Sequence, residues 1–428
     1  MPDATPSTRS LWGWIPSLYV AEGLPYVVVM SVSVTMYKVL GLSNTDIALY
    51  TSWLYLPWVV KPLWSPVVDI LGTRRRWIWA AQLVVGAALA GAALALHAPD
   101  FVRGTLGLLW LLAFDSATHD IAADGFYMLA TTERQQAMFV GVRSTFYRLA
   151  NIAGQGLLVM LAGTIQSRTG DARLGWTVAL GVLAALFALF GFWHRFVLPR
   201  PAADRPGDAR RIPGFVREFL GTFGSFFRKP RIGVLLAFLL LYRFGEAQLV
   251  KLVPPFLLDP RAQGGLGLTT TRVGFVYGTV GVAALMLGGI LGGWLASRHG
   301  LKAWLWVMLL AIHLPDAVFI YLAYAQPASI ALVTLCVAVE QFGYGFGFTA
   351  YLLYMIHIAR GEHPTAHYAI CTGFMALGMM IPGMWSGWLQ DLIGYRHFFA
   401  WVILATVPSF LVALWIPLER EFGRKVTA

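Results

Sequence analysis

Apolar residues in this chain fall in long unbroken runs, and the polar residues gather in the short gaps between them. The runs lie near 12–37, 46–68, 77–97, 105–130, 138–165, 175–197, 232–256, 272–296, 303–325, 329–358, 368–390 and 398–417. Each supplies the roughly 20 residues that a helix needs to cross the hydrocarbon of a bilayer. The pattern predicts an all-α integral membrane fold of twelve transmembrane helices. Prolines at positions 16, 25, 57, 254, 255, 315 and 382 sit inside runs and predict local breaks, whose freed carbonyls protein or water must satisfy. Glycines crowd the eighth, tenth and eleventh runs and predict surfaces where helix backbones approach closely. One long polar stretch, Arg200 to Arg231, rich in Pro, Gly and Arg, reads as a solvated linker or an interfacial helix. It divides the chain into a six-helix half at 1–198, a linker at 199–231 and a second half at 232–428.

Composition removes the soluble alternatives. Hydrophobic residues make up 58% of the chain and charged residues 12%, where a soluble domain carries about a quarter charged. The net charge of +11 does not indicate nucleic acid, because the basic residues lie in loops between apolar runs, not on a folded soluble face. Membrane lipid is the expected macromolecular surroundings, and the chain is expected to act as a monomer. The two cysteines, Cys336 and Cys371, lie within runs and imply no disulfide framework. The first run is longer than a signal-peptide core and lacks its flanking features, so it counts as a span. With a cytoplasmic amino terminus, 20 of the 32 basic residues fall on the cytoplasmic side and seven on the other. The positive-inside rule therefore predicts both termini in the cytoplasm.

The candidate chemistry is the set of charges inside the runs. Phe114 to Tyr127 places Asp115, His119, Asp120 and Asp124 in one span, where each carboxylate costs about 2.5 to 3.5 kcal/mol at bilayer depth. Glu22, Glu246 and Glu340 share that situation. Glu340 follows Asp115 by 225 positions and Glu246 follows Glu22 by 224, which predicts two related halves with acids on the first and fourth spans of each. Asp115 and His119 share one helix face; Asp120 and Asp124 share another. Spans four and five are antiparallel, which sets Asp120 level with Arg148 and Asp124 level with Arg143, as expected ion pairs.

Asp115 has no basic residue level with it, so Asp115 and its counterpart Glu340 lead the candidates for carrying a transported proton. Glu22 and Glu246 follow, and His119 is a candidate relay. An alternative for Glu246 is to neutralise Arg243 or Lys251 on its own helix. Arg243 suits a carboxylate or phosphate. Lys61 either binds an anion too or snorkels to the membrane edge. Trp53, Trp58, Trp64, Tyr344 and Tyr351 could stack on rings, with Gln341 beside them on the tenth span. No metal and no cofactor is expected.

Two loops carry a resemblance. S-P-V-V-D-I-L-G-T-R-R-R, with Asp69, Gly72 and Arg74 to Arg76, follows span two; G-G-W-L-A-S-R-H-G-L-K, with Ser297, Gly300 and Lys302, follows span eight. Both resemble the loop signature of the major facilitator superfamily, with Ser65 in place of its first glycine and Ser297 in place of the second-half aspartate. Asp69 and Arg74 thereby join the expected gating ion pairs. Glu22-Gly-Leu-Pro25, Lys61-Pro-Leu-Trp-x-Pro-x-x-Asp69, Asp120-Ile-Ala-Ala-Asp124-Gly, Tyr147-Arg148 and Glu340-x-x-Gly-x-Gly345 resemble the AmpG-like muropeptide permeases and their acetyl-CoA transporter relatives. The resemblance implies the major facilitator fold of two pseudo-symmetric halves. It further implies a proton-coupled secondary transporter of a bacterial inner membrane that imports an anionic solute, foremost an anhydromuropeptide. Siderophore or acetyl-CoA type solutes, and drug export, are the alternatives it leaves. A membrane-embedded enzyme is the rival class, and the chain offers it no nucleophile paired with a base. No G-x-x-x-x-G-K-[ST] loop provides ATP drive.

Overall fold

The computed structural model describes residues 8–206, 212–361, 363–419 and 422. Helices account for nearly all of them, and no strand occurs among the described residues. We number the helical runs α1 Ser10–Val39, α2 Asn44–Trp53, α3 Leu56–Leu71, α4 Arg74–Ala95 and α5 Phe101–Ala130. The next, α6, runs from Glu133–Ile152 through a π-helical turn to Val159–Thr169. After it come α7 Ala172–Val197, α8 Ile212–Phe227, α9 Ile232–Leu258, α10 Thr270–His299, α11 Leu301–Ala325, α12 Ile330–Ala359, α13 Pro364–Leu404 and α14 Val407–Ala413.

Among the described residues nine helical runs are long and apolar enough to cross a membrane. The thirty residues of α5 are as long but carry Asp115, Asp120 and Asp124. The second expected span is split into α2 and α3. The last two expected spans lie inside one run of 48 residues, Ala366–Ala413, where Gly394 takes φ 73° and turns the chain.

Local chemistry sets the boundaries. Thr132 and Gln135 form a reciprocal capping box at the start of α6. Ser43, Thr73, Asp171 and Ser329 accept the first free amides of α2, α4, α7 and α12. Gly170 closes α6 in the left-handed region at φ 74°. Two interruptions within helices matter more. Arg243, at φ −111° and ψ 22°, breaks α9, and the turn Leu314–Asp316 with its Pro315 breaks α11. Arg243 and Asp316 are buried at these breaks, while Leu314 is exposed.

The residues form two compact units. One comprises Met1–Ser33 and Val60–Glu218; the other comprises Val34–Val59 and Phe219–Ala428. The core of the first is built on Trp14, Leu18, Tyr19, Phe126 and Phe139. The second has two cores, one on Phe238, Tyr242, Tyr351 and Tyr354 and one on Phe256, Phe319, Val337 and Phe399. In this second unit α12 is clasped by its neighbours. A Cβ on Gly345 would stand 1.9 Å from the Leu285 carbonyl oxygen of α10, and one on Gly343 would stand 2.1 Å from that of Ala311 on α11. The expected role of these glycines as contact surfaces is met at those positions.

The stretch Val34–Val59 is anchored into the second unit by polar contacts. Lys38 pairs with Asp259 at 2.6 Å, Tyr395 donates to the same Asp259 at 2.6 Å, and Asn44 donates to Tyr395 at 2.9 Å. Thr45 donates to Asp391 at 2.7 Å. A Cβ on Gly387 of α13 would meet the Asn44 carbonyl oxygen at 1.9 Å, so α2 lies directly on that helix backbone.

Candidate functional site

In the first unit the charges converge from four helices. Glu22 comes from α1, Lys61 from α3, Asp120 and Asp124 from successive turns of α5, and Arg143 from α6. Lys61 forms an ion pair with Asp120, and Arg143 forms one with Asp124. Arg143 lies 4.3 Å from the ring centres of both Tyr19 and Tyr127, and the Tyr19 hydroxyl donates to Asp124 at 3.3 Å. Glu22 is buried beside Asp120, and one of its carboxylate oxygens has no hydrogen-bond partner. One carboxylate oxygen from each of Glu22, Asp120 and Asp124 lies within 4.8 Å of the other two.

The expected pair of Asp124 with Arg143 is therefore present. Asp120 is not paired with Arg148: its partner is Lys61, which reaches it across the cluster from α3 instead of extending to the membrane edge. Arg148 makes no ion pair with any described residue. The short loop between α5 and α6 fixes the level of those two helices only, and the cation that reaches Asp120 comes from α3. Arg74 lies at the start of α4, where the Asp204 carboxylate accepts the Arg74 amide at 2.8 Å. The side chain of Asp69 lies outside the described residues.

The other face of α5 carries different chemistry. The buried Gln82 side chain of α4 donates to His119 Nε2 at 2.9 Å and accepts from His194 Nδ1 at 2.8 Å. His194 Nε2 in turn lies 2.9 Å from the Ser17 hydroxyl. His119 is thus one end of a hydrogen-bonded chain through four helices, α5, α4, α7 and α1. Asp115, one turn away, has a buried carboxylate oxygen without a hydrogen-bond partner and stands apart from the Glu22 cluster. The α5 acid that meets Glu22 is Asp120.

The second unit gathers Glu246 of α9, Asp316 of the α11 break and Glu340 of α12, with one oxygen of each within 4.8 Å of the others. Glu246 makes no ion pair with Arg243 or Lys251, contrary to the alternative drawn from their spacing. Arg243 instead donates to the Tyr344 hydroxyl, and its guanidinium lies 4.7 Å from the Phe348 ring centre. Lys251 donates to Thr51 at 3.0 Å and lies 5.1 Å from the ring centre of Tyr55. Gln341 donates to Glu340 at 3.0 Å. Tyr351 is fully buried in the core and its hydroxyl donates to the Leu239 carbonyl at 2.6 Å, which leaves it no group to offer a solute in this structure.

Sequence reasoning passed over three features. Asp316 is an acid in an apolar run, the signal that singled out the other acids, and it was read only through its neighbour Pro315. Gln82 and His194 gave no such signal, since a lone amide or histidine in a span is common. The Lys38–Asp259 pair joins residues far apart in sequence and has no local signature.

The major facilitator superfamily model matches residues 17–383. The anhydromuropeptide permease of Escherichia coli is 24% identical over 418 residues, covering 94% of this chain and 79% of its own. An uncharacterised protein of Haemophilus influenzae is 26% identical over 383 residues, covering 86% and 85%. Among solved structures, a D-xylose–proton symporter superposes with a TM-score of 0.69 at 14% identity, covering 96% of this chain and 98% of its own. The last of these shows the fold alone. With the family model spanning most of the chain and the AmpG relatives aligned along nearly all of it, this protein is a multi-pass membrane transporter that belongs to the major facilitator superfamily as an AmpG-like member.

Proposed function

We propose that this transporter is a proton-coupled importer of an anionic sugar-peptide, foremost an anhydromuropeptide, in a bacterial inner membrane. In this reading it has twelve spans in two halves, at 1–198 and 232–428, joined by a linker at 199–231, with both termini in the cytoplasm and the monomer as the working form. The observation that carries the proton coupling is the charge balance of the first-unit cluster. Three carboxylates, Glu22, Asp120 and Asp124, meet two cations, Lys61 and Arg143. Glu22 is the most buried of the three, and burial disfavours an uncompensated charge, so in this reading Glu22 holds a proton. Loss of the proton, or a shift of either cation toward a solute carboxylate, changes the balance of the whole cluster, which is the link that symport requires.

The solute assignment is supported by the Escherichia coli anhydromuropeptide permease, which aligns with 94% of this chain. It is also supported by Arg243, whose buried Nε has no hydrogen-bond partner and whose planar face is held by Tyr344 and Phe348. That arrangement suits a carboxylate next to a sugar or peptide plane. The drive suffices: one proton at about 100 mV supplies roughly 2.3 kcal/mol and a pH unit adds about 1.4.

The test uses proteoliposomes and Glu22→Gln, which fixes the neutral form. This variant is expected to keep solute counterflow and to lose accumulation driven by a pH gradient. Accumulation by Glu22→Gln equal to that of the parent protein would refute Glu22 as the proton carrier. Failure of the parent protein to exchange anhydromuropeptide would refute the solute.

A further inference from the structure

The acids of the second unit lack what neutralises those of the first. Glu246, Asp316 and Glu340 are 0%, 1% and 2% exposed. Among the described residues none of them forms an ion pair. Both oxygens of Glu246 and both of Asp316 are buried without a hydrogen-bond partner. Glu340 alone is contacted, by the Gln341 amide at 3.0 and 3.3 Å. Carboxylates in such surroundings do not stay charged unless positive charge accompanies them, and that charge is either protons or a metal cation.

Geometry separates the two. A protonated carboxyl in an apolar core must donate its O–H to an acceptor, and beside another carboxylate it does so through a short bond. In the second unit all four oxygens of Glu246 and Asp316 lack any hydrogen-bond partner. One oxygen of each of the three acids lies within 4.8 Å of the other two. Three points no more than 4.8 Å apart leave a central position at most about 2.8 Å from each, a few tenths of an ångström beyond the roughly 2.3 to 2.6 Å at which oxygen ligands hold calcium. Sodium is of nearly the same size. Magnesium demands about 2.0 to 2.1 Å and a strict octahedron, which three single oxygens do not complete. The hard oxygen donors, without sulfur or imidazole, exclude a preference for soft metals.

The internal duplication makes the same point independently. Glu22 and Glu246 occupy matching places on the first helices of the two halves, and each faces an acid of the fourth. Around Glu22, α3 and α6 insert Lys61 and Arg143 as fixed cations. Around Glu246 no basic side chain forms an ion pair among the described residues: Arg243, which acts on Glu246 only through space, donates to Tyr344, and Lys251 donates to Thr51. The α11 break adds a third carboxylate instead. Its backbone turn, Leu314–Asp316, is what directs Asp316 inward, and the glycine contacts of α12 fix Glu340 opposite.

We propose that Glu246, Asp316 and Glu340 form a binding site for a hard, oxygen-liganded metal cation of sodium or calcium size. The site goes beyond the proton reading of Glu22, and its test involves neither solute nor gradient, so either can fail without the other. The full-length protein, purified in detergent and stripped with chelator, is titrated with sodium, calcium, magnesium, potassium or choline at constant ionic strength and pH, with the unfolding temperature as readout. A saturable rise with sodium or with calcium is expected, and whichever ion acts identifies the occupant. Glu246→Gln and Asp316→Asn should each weaken the half-saturating concentration at least tenfold, while Glu22→Gln should leave it unchanged. Should a variant not fold, equilibrium binding of radioactive sodium or calcium to the parent protein decides, with about one ion bound per chain expected. Equal response to sodium, potassium and choline would overturn the site, as would a response that survives both substitutions, a dependence on pH alone, or no bound ion.

Discussion

Lys61 and Asp120 offer the sharpest energetic test of the first-unit cluster. Their side chains are 27% and 24% exposed, so the pair lies between surface ion pairs worth about 0.2 to 1 kcal/mol and buried ones whose disruption costs about 3 to 5. Lys61→Met removes one of two cations from a site holding three carboxylates and leaves Asp120 without its ion-pair partner. We expect a loss of about 2 to 3 kcal/mol. Asp120→Asn in the parent background leaves Lys61 beside Asp124 and Glu22 and should cost less, about 1 to 2 kcal/mol. Once Lys61 is methionine, the aspartate is itself unfavourable, and replacing it should cost almost nothing. The double-mutant cycle should therefore show a coupling of roughly 1.5 kcal/mol. The same cycle with Arg148→Met in place of Lys61→Met should give less than about 0.5 kcal/mol, the scatter of independent sites. Equilibrium unfolding in mixed detergent micelles, followed by tryptophan fluorescence, measures the parent protein and all five variants. A coupling with Arg148 as large as that with Lys61, or none with Lys61, would refute the arrangement.

Three further expectations can be checked in parallel. Gln82→Leu strips partners from both His119 and His194 in a fully buried position, so unfolding should become easier by about 2 to 4 kcal/mol; an unchanged midpoint would mean the histidine chain holds nothing. Gly345→Val places side-chain atoms against the Leu285 carbonyl, where a Cβ alone would come within 1.9 Å, and should cut the yield of folded protein sharply, whereas a substitution at Gly293, which has open space, should not; similar yields would argue against close α10–α12 packing. In a background lacking Cys336 and Cys371, the exposed positions Ala203→Cys and Ser167→Cys should differ in intact cells, with only Ser167→Cys reacting with an impermeant maleimide, and the reverse pattern would overturn the orientation.

The apolar runs made most of the helices legible, because a span is defined by about 20 residues of uniform character and needs no knowledge of its neighbours. The acids were legible for the same reason, as costly exceptions to that character. Which acid meets which base was not. Periodicity places Asp120 and Asp124 on one face of α5, but the partner on that face comes from whichever helix lies nearest, and α3 lies there with Lys61. The α2–α3 division, the turn at Gly394 and the inward aim of Asp316 escaped for a related reason. Each is a short irregularity inside an apolar stretch, with no local sequence signal that marks it. The 224-residue offset between Glu22 and Glu246 could not foresee that the first would lie with two acids paired to Lys61 and Arg143, and the second with two acids that form no ion pair among the described residues.

The membership of Val34–Val59 in the second unit bears on how the polypeptide can be cut. A gene divided within the 199–231 stretch encodes two fragments, and neither is a self-sufficient body. The amino-terminal fragment carries Lys38, Asn44 and Thr51, while Asp259, Tyr395 and Lys251, which bind them, belong to the carboxy-terminal one. The fragments are interlocked in the manner of a swapped element. Expressed together, they have a built-in reason to reassemble without a peptide link. Expressed alone, the carboxy-terminal piece loses the partners of a buried lysine and a buried aspartate, and proteolytic clearance is its expected fate.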